Sequence, residues 1–155
     1  MIITTSSVPL DHPDLRRLVA ELDAYLAITD GEEHAFYNQY NGLDDLTYAI
    51  VAYDELFRPI GCGAYKIHDS ATVEIKRMYT APDYRGRGVA AEVLLMLESI
   101  AKAEGYDRAI LETGLRQEAA MAFYPKQGYA NIPNYGQYQG MANSRCFEKQ
   151  LRADD

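Results

Sequence analysis

The sequence predicts a single α/β domain built on a mixed central sheet with helices on both faces. Its 155 residues, 48% of them hydrophobic, suffice for one sizeable core and are too few for two domains of ordinary size. Two helical patterns come first, a series of strand-type runs follows, and strands then alternate with helices, which is typical of such a sheet. No repeat or low-complexity segment interrupts this order, so residues 1–155 are taken as one domain.

Helical patterns occupy the first part of the chain. A short strand near Ile2 to Thr5 precedes Asp11-His-Pro-Asp14, which offers an N-cap candidate and a proline for a first helical turn. Apolar residues then recur at helical spacing: Leu15, Leu18, Val19, Leu22, Tyr25 and Leu26. Asp30-Gly31 predicts the end of this helix, and Glu32 to Asn41 predicts a second one.

Strand-type runs dominate the middle of the chain. Thr47 to Tyr53 and Pro59 to Ile67 flank a polar stretch and predict a hairpin, and Thr72 to Thr80 predicts another strand. The most periodic helix follows Gly88 and is capped by Gly105, with an apolar stripe of Val89, Val93, Leu94, Leu97, Ile100 and Ala101. The remaining predicted elements are a strand at Arg108 to Glu112, a helix at Gln117 to Tyr124 and a closing strand at Arg145 to Leu151.

Composition restricts the partners. A formal net charge of -8 argues against a nucleic-acid surface, which draws its affinity from Lys and Arg, and suits a cationic acceptor. Cys62 and Cys146 lie on separate apolar runs, without the spacing of a disulfide framework or zinc site. The N-terminal residues lack the basic region and apolar length of a signal or membrane span. We therefore expect a cytoplasmic protein with no nucleic-acid or membrane partner, and a homodimer stays open.

The segment that most restricts the chemistry is Arg85-Gly-Arg-Gly-Val-Ala90, between a predicted strand and the most periodic helix. A glycine loop at a helix start leaves backbone N–H groups without partners, and the helix dipole adds positive potential, so the loop favours phosphate. Arg85 and Arg87 add charge for a pyrophosphate or ribose phosphate. Such a short match also occurs in solvated turns. A dinucleotide loop needs a third glycine where Ala91 stands, and a Walker loop needs Gly-Lys-Ser/Thr.

Three segments in this order resemble motifs of the GNAT acetyltransferases. Arg85 to Ala90 resembles the Gln/Arg-x-x-Gly-x-Gly/Ala motif that wraps the coenzyme A pyrophosphate, and Glu74 to Thr80 resembles the preceding strand. Phe123 to Tyr129 resembles the Phe-Tyr-x-x-x-Gly-Phe/Tyr motif. The resemblance spans Thr72 to Tyr129 and implies a GNAT-like fold. It also implies acetyl-CoA as cosubstrate, N-acetyl transfer to an unidentified primary amine of a small molecule or peptide, and no need for a metal.

The resemblance also implies roles for individual residues. The strand before the loop would grip the pantetheine arm and polarise the acetyl carbonyl, and Gln117 stands where the family often has an asparagine that touches the coenzyme. The implied coenzyme-binding residues are Met78, Tyr79, Thr80, Arg85, Gly86, Arg87, Gly88, Val89, Ala90, Ala91 and Gln117. Glu74 aligns with a general base of the family and Tyr124 with the tyrosine that protonates the coenzyme thiolate.

Each catalytic assignment has a structural alternative. Glu74 could instead be a strand carboxylate paired with Lys76 or Arg77, of which Lys76 shares its face. Tyr124 could be a packed aromatic, one of 13 tyrosines. Pro125 disfavours helical geometry at Tyr124 and removes a backbone donor, so it is expected to displace the hydroxyl.

Four residues are candidates for contact with the acceptor. Glu112 ends the strand beside the expected coenzyme slot, and Tyr135 and Tyr138 belong to a turn-rich link that either shapes the pocket or anchors onto the core. His34 lies on the second predicted helix. The favoured hypothesis is direct transfer within a ternary complex. Its rivals are a non-catalytic acyl-CoA-binding sensor or interaction domain and a nucleotide-binding domain that uses the same loop.

Overall fold

The computed structural model describes residues 1–40 and 42–152, which form one seven-stranded sheet with the order β1-β2-β3-β4-β5-β7-β6. The strands are β1 Thr4–Val8, β2 Tyr48–Tyr53, β3 Pro59–Ile67, β4 Thr72–Thr80, β5 Arg108–Gly114, β6 Ala130–Ile132 and β7 Ser144–Gln150. The helices are α1 Pro13–Thr29, α2 His34–Asn38, α3 Val89–Ala103 and α4 Glu118–Lys126. Within these residues no helix combines the length and the apolar character that a membrane span requires.

Helices cover both faces of the sheet, as the sequence predicts. Alternate residues of β2 point to opposite sides, so Ala49 and Val51 pack with α1 while Ile50 and Ala52 pack with α3. The α1 side also buries Leu15 and its helical neighbours at the predicted spacing. The mixed character of the sheet comes from β4 and β5, which pair in parallel, whereas all other neighbouring strands are antiparallel.

Several boundaries differ from the prediction. β1 begins at Thr4 and runs to Val8, because its register is set by pairing with β2, and β5 extends to Gly114 because β7 pairs with its whole length. The three-residue strand β6 is too short to give an alternating pattern and was not predicted. In place of a helix from Glu32 to Asn41, a 3-10 turn precedes the five-residue α2, and Asn41 lies outside the described residues.

Helix α4 continues through Pro125, so the expectation that this proline disfavours helical geometry at Tyr124 is wrong. Pro125 is the penultimate residue of the helix, where a missing N–H donor costs one hydrogen bond and leaves the earlier turns intact. The Gln127 amide donates to the Phe123 carbonyl at 3.2 Å, which closes the last turn. Tyr124 is therefore placed by a regular helix.

A bulge in β4 changes which side chains face each helix. Arg77 has a φ of 60°, and the pairing of β3 with β4 shifts register between Cys62 and Ala64. Before the bulge Ile75 packs on the α3 side; after it Met78 packs on that side and Tyr79 on the α1 side. The bulge therefore sets the direction of every side chain in the second half of β4.

The centre of the sheet opens where β4 and β5 separate. Their parallel pairing is limited to Thr72–Glu74 against Arg108–Ile110, although both strands continue beyond it. Each strand therefore has backbone groups that its neighbour does not use. The gap between the two strands positions the site described below.

The close approach of α3 to the sheet at Gly63 gives a stability prediction. A Cβ at this position would meet the Met78 sulfur, Val93 Cγ1 at 2.8 Å and Leu97 Cδ1 at 3.1 Å. Gly63→Ala is expected to lower the free energy of unfolding by about 1–3 kcal/mol, because the packed helix must shift. Urea denaturation measures the change. Gly42→Ala, which would meet nothing within 4 Å, is the control, and equal stability of both variants would contradict the packing argument.

Candidate active site

A groove of about 440 Å³ runs from the gap between β4 and β5 along the start of α3 and one side of α4. We refer to it as the outer groove. Its walls include the last residues of β4, the turn that precedes α3, and Tyr25 of α1. Among the predicted coenzyme-binding residues, those that line it are Met78, Tyr79, Thr80, Arg85, Gly86, Gly88, Val89, Ala90, Ala91 and Gln117.

The N-terminus of α3 faces this groove with unused backbone donors. Gly88 is its N-cap, with φ of 84°, and no side chain of the described residues caps the helix. The first intrahelical bond at this end is donated by the Glu92 amide to the Gly88 carbonyl, so the amides of the first turn remain available. Glycine serves here because it tolerates the left-handed conformation; space is not limiting, since a Cβ at Gly88 would meet nothing within 4 Å.

The two arginines of the glycine loop point in different directions. Arg85 donates from Nε to the Thr80 carbonyl at 3.1 Å, and its guanidinium lies 5.4 Å from the Tyr25 ring centroid, inside the outer groove. Arg87 stacks on Tyr84 at 5.7 Å and lines a separate polar cavity. Of the two side chains that the sequence assigns to the coenzyme, the structure brings Arg85 to the groove and not Arg87.

A second cavity, of about 120 Å³, lies in the gap between β4 and β5. We refer to it as the inner cavity. Its polar walls are Asp30, Tyr37, Glu74, Lys76, Arg77, Glu112, Thr113, Gln117 and Tyr138. It shares Leu22, Met78, Gln117, Ala120 and Tyr124 with the outer groove, so the two spaces adjoin.

Tyr124 stands where the two cavities meet. Its side chain is 7% exposed and packs edge-on against Tyr129, with Phe147 on another side of the ring. Burial raises the pKa of the Tyr124 phenol above its ordinary range, so the hydroxyl keeps its proton at neutral pH. A protonated phenol in the lining of both cavities is a candidate proton donor.

The family model described as the acetyltransferase (GNAT) family matches residues 15–129. The chain belongs to the GNAT acetyltransferase family. It is an N-acetyltransferase, and acetyl-CoA is the cosubstrate of the family. The sequence-based predictions of family, fold, enzyme class and cosubstrate are thereby confirmed.

Individual relatives agree with this assignment. An IAA acetyltransferase of Azospirillum brasilense is 32% identical over 138 residues, which are 87% of this chain and 89% of the relative. A Klebsiella pneumoniae structure assigned as an acyl-CoA N-acyltransferase superposes with a TM-score of 0.82 at 26% identity, over 97% of this chain and 99% of the other. A GNAT acetyltransferase of Elizabethkingia anophelis with acetyl-CoA bound shares the fold, with a TM-score of 0.70 at 19% identity, 96% of this chain and 97% of the other.

The outer groove of this GNAT enzyme fits its cosubstrate. A pyrophosphate needs clustered N–H donors and positive charge, which the open amides at the start of α3 and the Arg85 guanidinium supply. The part of β4 that does not pair with β5 offers backbone groups along that edge for an extended pantetheine arm. These are the residues that would hold acetyl-CoA.

Glu74 lies deep in the inner cavity with both carboxylate oxygens engaged. The side chain of Glu74 is 2% exposed, Tyr135 donates its hydroxyl to Oε2 at 2.5 Å, and Lys66 Nζ lies 3.8 Å from Oε1. The partner is thus Lys66 on the facing strand, not Lys76 or Arg77 as the structural alternative supposed. Arg77 pairs instead with Asp23 on α1 at 2.5 Å. A base role for Glu74 stays a prediction.

Glu112 presents a carboxylate oxygen with unused capacity. Its Oε2 is buried and has no hydrogen-bond partner among the described residues. Desolvation raises the pKa of Glu112 to about 7, against smaller opposing contributions from a hydrogen bond with Ser144 and the charge of Lys76. Tyr37 shares a hydrogen bond of 2.9 Å with Ser144, which links α2 to this wall. The sequence suggested acceptor contact by Glu112; its raised pKa depends on burial that only the fold creates.

The other acceptor candidates lie at different depths. Tyr138 lines the inner cavity and accepts a hydrogen bond from Lys76 Nζ at 3.4 Å. Tyr135 lies behind it and contacts the cavity through Glu74. His34 does not line the cavity; its Nδ1 is 3.6 Å from Asp30 Oδ2, and Asp30 forms the wall. Lys76 also lines the cavity, whereas the sequence predicted it only as a possible partner of Glu74 on the same strand face.

Proposed function

We propose that this enzyme transfers the acetyl group directly from acetyl-CoA to a primary amine within a ternary complex. The coenzyme would occupy the outer groove and the amine the inner cavity. The observation that carries the proposal is that these two spaces adjoin at Tyr124 and Met78, so both substrates can be present at once. Acetyl-CoA supplies an acetyl group activated as a thioester, so the protein's task is orientation, charge stabilisation and proton transfer.

Residues Met78 to Thr80 are proposed to stabilise the oxygen that gains charge during attack. They end β4 beyond its pairing with β5, and all three line the outer groove. Backbone N–H groups held rigid in a sheet can donate to that oxygen without reorganising. The side chains of Tyr79 and Arg85 close the groove on the α1 side, where Arg85 lies 6.0 Å from the Tyr79 ring centroid.

Tyr124 is proposed as the acid that protonates the departing thiolate. Two observations support this role: Tyr124 lines both cavities, and its raised pKa keeps the phenol protonated. The phenolate formed in this step recovers a proton from the amide nitrogen, which must lose one to become neutral. Tyr124 therefore ends each turnover as it began.

Two carboxylates compete for the role of base. Glu74, the sequence-based candidate, accepts a hydrogen bond from Tyr135 at one oxygen and lies beside Lys66 at the other, so neither oxygen is free for an incoming ammonium. Glu112 has a free oxygen and a pKa near the operating pH, which is the balance that suits a general base. We propose Glu112 as the group that removes a proton from the incoming ammonium, and Glu74 as the group that holds Tyr135.

The experiment that tests the proposal combines coenzyme titration with turnover. Calorimetry is expected to show heat with coenzyme A and little with ATP or NAD, and acetyl-CoA with a panel of amines is expected to release free thiol. Coenzyme binding without thiol release from any amine would favour the non-catalytic sensor. Equal binding of ATP or NAD would favour the nucleotide-binding alternative.

A matched pair of arginines tests whether the groove holds the coenzyme. Arg85→Gln is expected to weaken coenzyme A binding by about tenfold, since one charge-assisted contact is lost. Arg87→Gln is expected to change it less, because that side chain lies outside the groove. The reverse order would restore the sequence-based role of Arg87.

A further inference from the structure

Lys76 is a buried cation whose charge is not neutralised by an ion pair. It lines the inner cavity at 7% exposure, and no carboxylate of the described residues forms an ion pair with it. Its one hydrogen bond is donated to the Tyr138 hydroxyl, at 3.4 Å. Desolvation lowers the pKa of Lys76, an effect that the charges of Glu74 and Glu112 oppose and those of Lys66 and Arg77 reinforce. A buried ammonium in this state is stabilised by any anion that enters the cavity.

The nearby carboxylates of Glu74 and Glu112 leave the Lys76 ammonium available to bind an anion. Glu74 is engaged by Lys66 and Tyr135. Glu112 follows Ile110 by two residues, just as Lys76 follows Glu74, and Glu74 is paired with Ile110. Lys76 and Glu112 therefore occupy equivalent positions on the two sides of the gap, and both line the cavity. The β4 side of the gap therefore offers unused N–H donors of Lys76, and the β5 side offers the unused Oε2 acceptor of Glu112.

We propose that the acceptor is a small amino acid, whose carboxylate binds the Lys76 ammonium while its amine is directed to Glu112. The inference rests on the proposed function and adds the class of acceptor. A zwitterion satisfies both walls at once, whereas a simple amine would leave the Lys76 charge without a counterion. The volume of about 120 Å³ limits the part of the acceptor that is enclosed to a small group.

Ion pairing at Lys76 would also hold the amine for reaction. A carboxylate fixed on β4 restricts the rotation of a short amino acid, so its nitrogen stays on the Glu112 side of the gap. The cavity adjoins the outer groove at Tyr124 and Met78, so the nitrogen is kept near the carbonyl that it must attack. An amine without a carboxylate cannot form this ion pair with Lys76, and in a longer amino acid the ion pair leaves the nitrogen more freedom to move.

The decisive experiment compares small α-amino acids with their carboxamides, which keep the amine and lose the negative charge. With wild-type enzyme, kcat/KM for glycine, alanine and serine is expected to exceed that of the matching carboxamides by about 10- to 100-fold. Lys76→Met is expected to abolish most of this preference by raising KM for the acids, while the carboxamides change little. Lys76→Arg should retain part of it, because the charge is kept.

Each other outcome has a distinct meaning. Carboxamides used as well as acids by the wild-type enzyme would overturn the inference, even if Lys76→Met failed to fold. A loss shared equally by acids and carboxamides in Lys76→Met would assign Lys76 a structural role. Thiol release with other amines but not with amino acids would refute the acceptor class and leave acetyl transfer standing. Absence of release with every amine would refute the proposed function itself.

Discussion

Replacing Glu112 by glutamine is expected to lower kcat by about 10²- to 10⁴-fold at neutral pH, the contribution typical of a positioned general base. The amide keeps the shape of the side chain and cannot accept the proton from the ammonium. Only the carboxylate form of Glu112 is active, so wild-type kcat should rise with pH and level off above about 7, where burial places its pKa. Thiol release measured between pH 5.5 and 9 should show this inflection in the wild-type enzyme and not in Glu112→Gln.

Glu74→Gln is the matched control, because it alters the other carboxylate of the same cavity. It is expected to lower the rate because the hydrogen bond from Tyr135 and the contact with Lys66 lose the negative charge that strengthens them, while the inflection near pH 7 persists. If Glu74→Gln removes the inflection and Glu112→Gln does not, the sequence-based assignment of the base to Glu74 is correct.

Stability provides an independent check on Glu112. Its pKa is about 7 in the folded chain against an ordinary value of 4.5, so between these values the folded state binds more protons than the unfolded state. The free energy of unfolding contributed by this group therefore falls as pH rises through that window, by on the order of 1–3 kcal/mol. Glu112→Gln should be more stable than wild type at pH 8 in urea, which would show that its lost activity is not caused by unfolding.

Tyr124→Phe is expected to lower kcat by about 10²- to 10³-fold, with coenzyme affinity nearly unchanged. The variant keeps the ring that packs against Tyr129 and Phe147 and removes the proton donor alone. The measurement is thiol release in a single turnover, together with calorimetry of coenzyme A.

Tyr65→Phe is the matched control for Tyr124. Tyr65 is buried in the same α3-side core, and its hydroxyl has no hydrogen-bond partner among the described residues. It lines neither the outer groove nor the inner cavity. Its variant is expected to retain wild-type kcat, and equal losses in both variants would assign Tyr124 a packing role only.

Contiguous features were predicted well, because their cause is local. β3 and β4 have the predicted bounds, and the loop from Arg85 to Gly88 opens a helix as expected. The alternation of strand side chains and the periodicity of a helix depend on residues close together in the chain, so both can be predicted from the sequence. The outer groove was predictable for the same reason, since most of its lining comes from one strand, one turn and one helix start.

Features that depend on distant residues were not predictable in this way. Lys66 reaches Glu74 across the β3–β4 pairing, and the bulge at Arg77 shifts the register of the residues that follow it in β4. Asp23 neutralises Arg77 from α1, whereas Lys76 in the inner cavity has no ion pair with any residue in 1–40 or 42–152. Such pairings follow from how the sheet and helices meet, which the spacing along one strand does not encode.

The sequence by itself determined the fold class, the position of the glycine loop at the start of a helix and the family, because each of these follows from short contiguous patterns. The tertiary structure decided which charged groups face the inner cavity and which carboxylate remains free to take a proton. The reason is that a side chain's pKa and its available hydrogen bonds depend on burial and on partners brought from other elements, such as Ser144 beside Glu112 and Tyr135 beside Glu74.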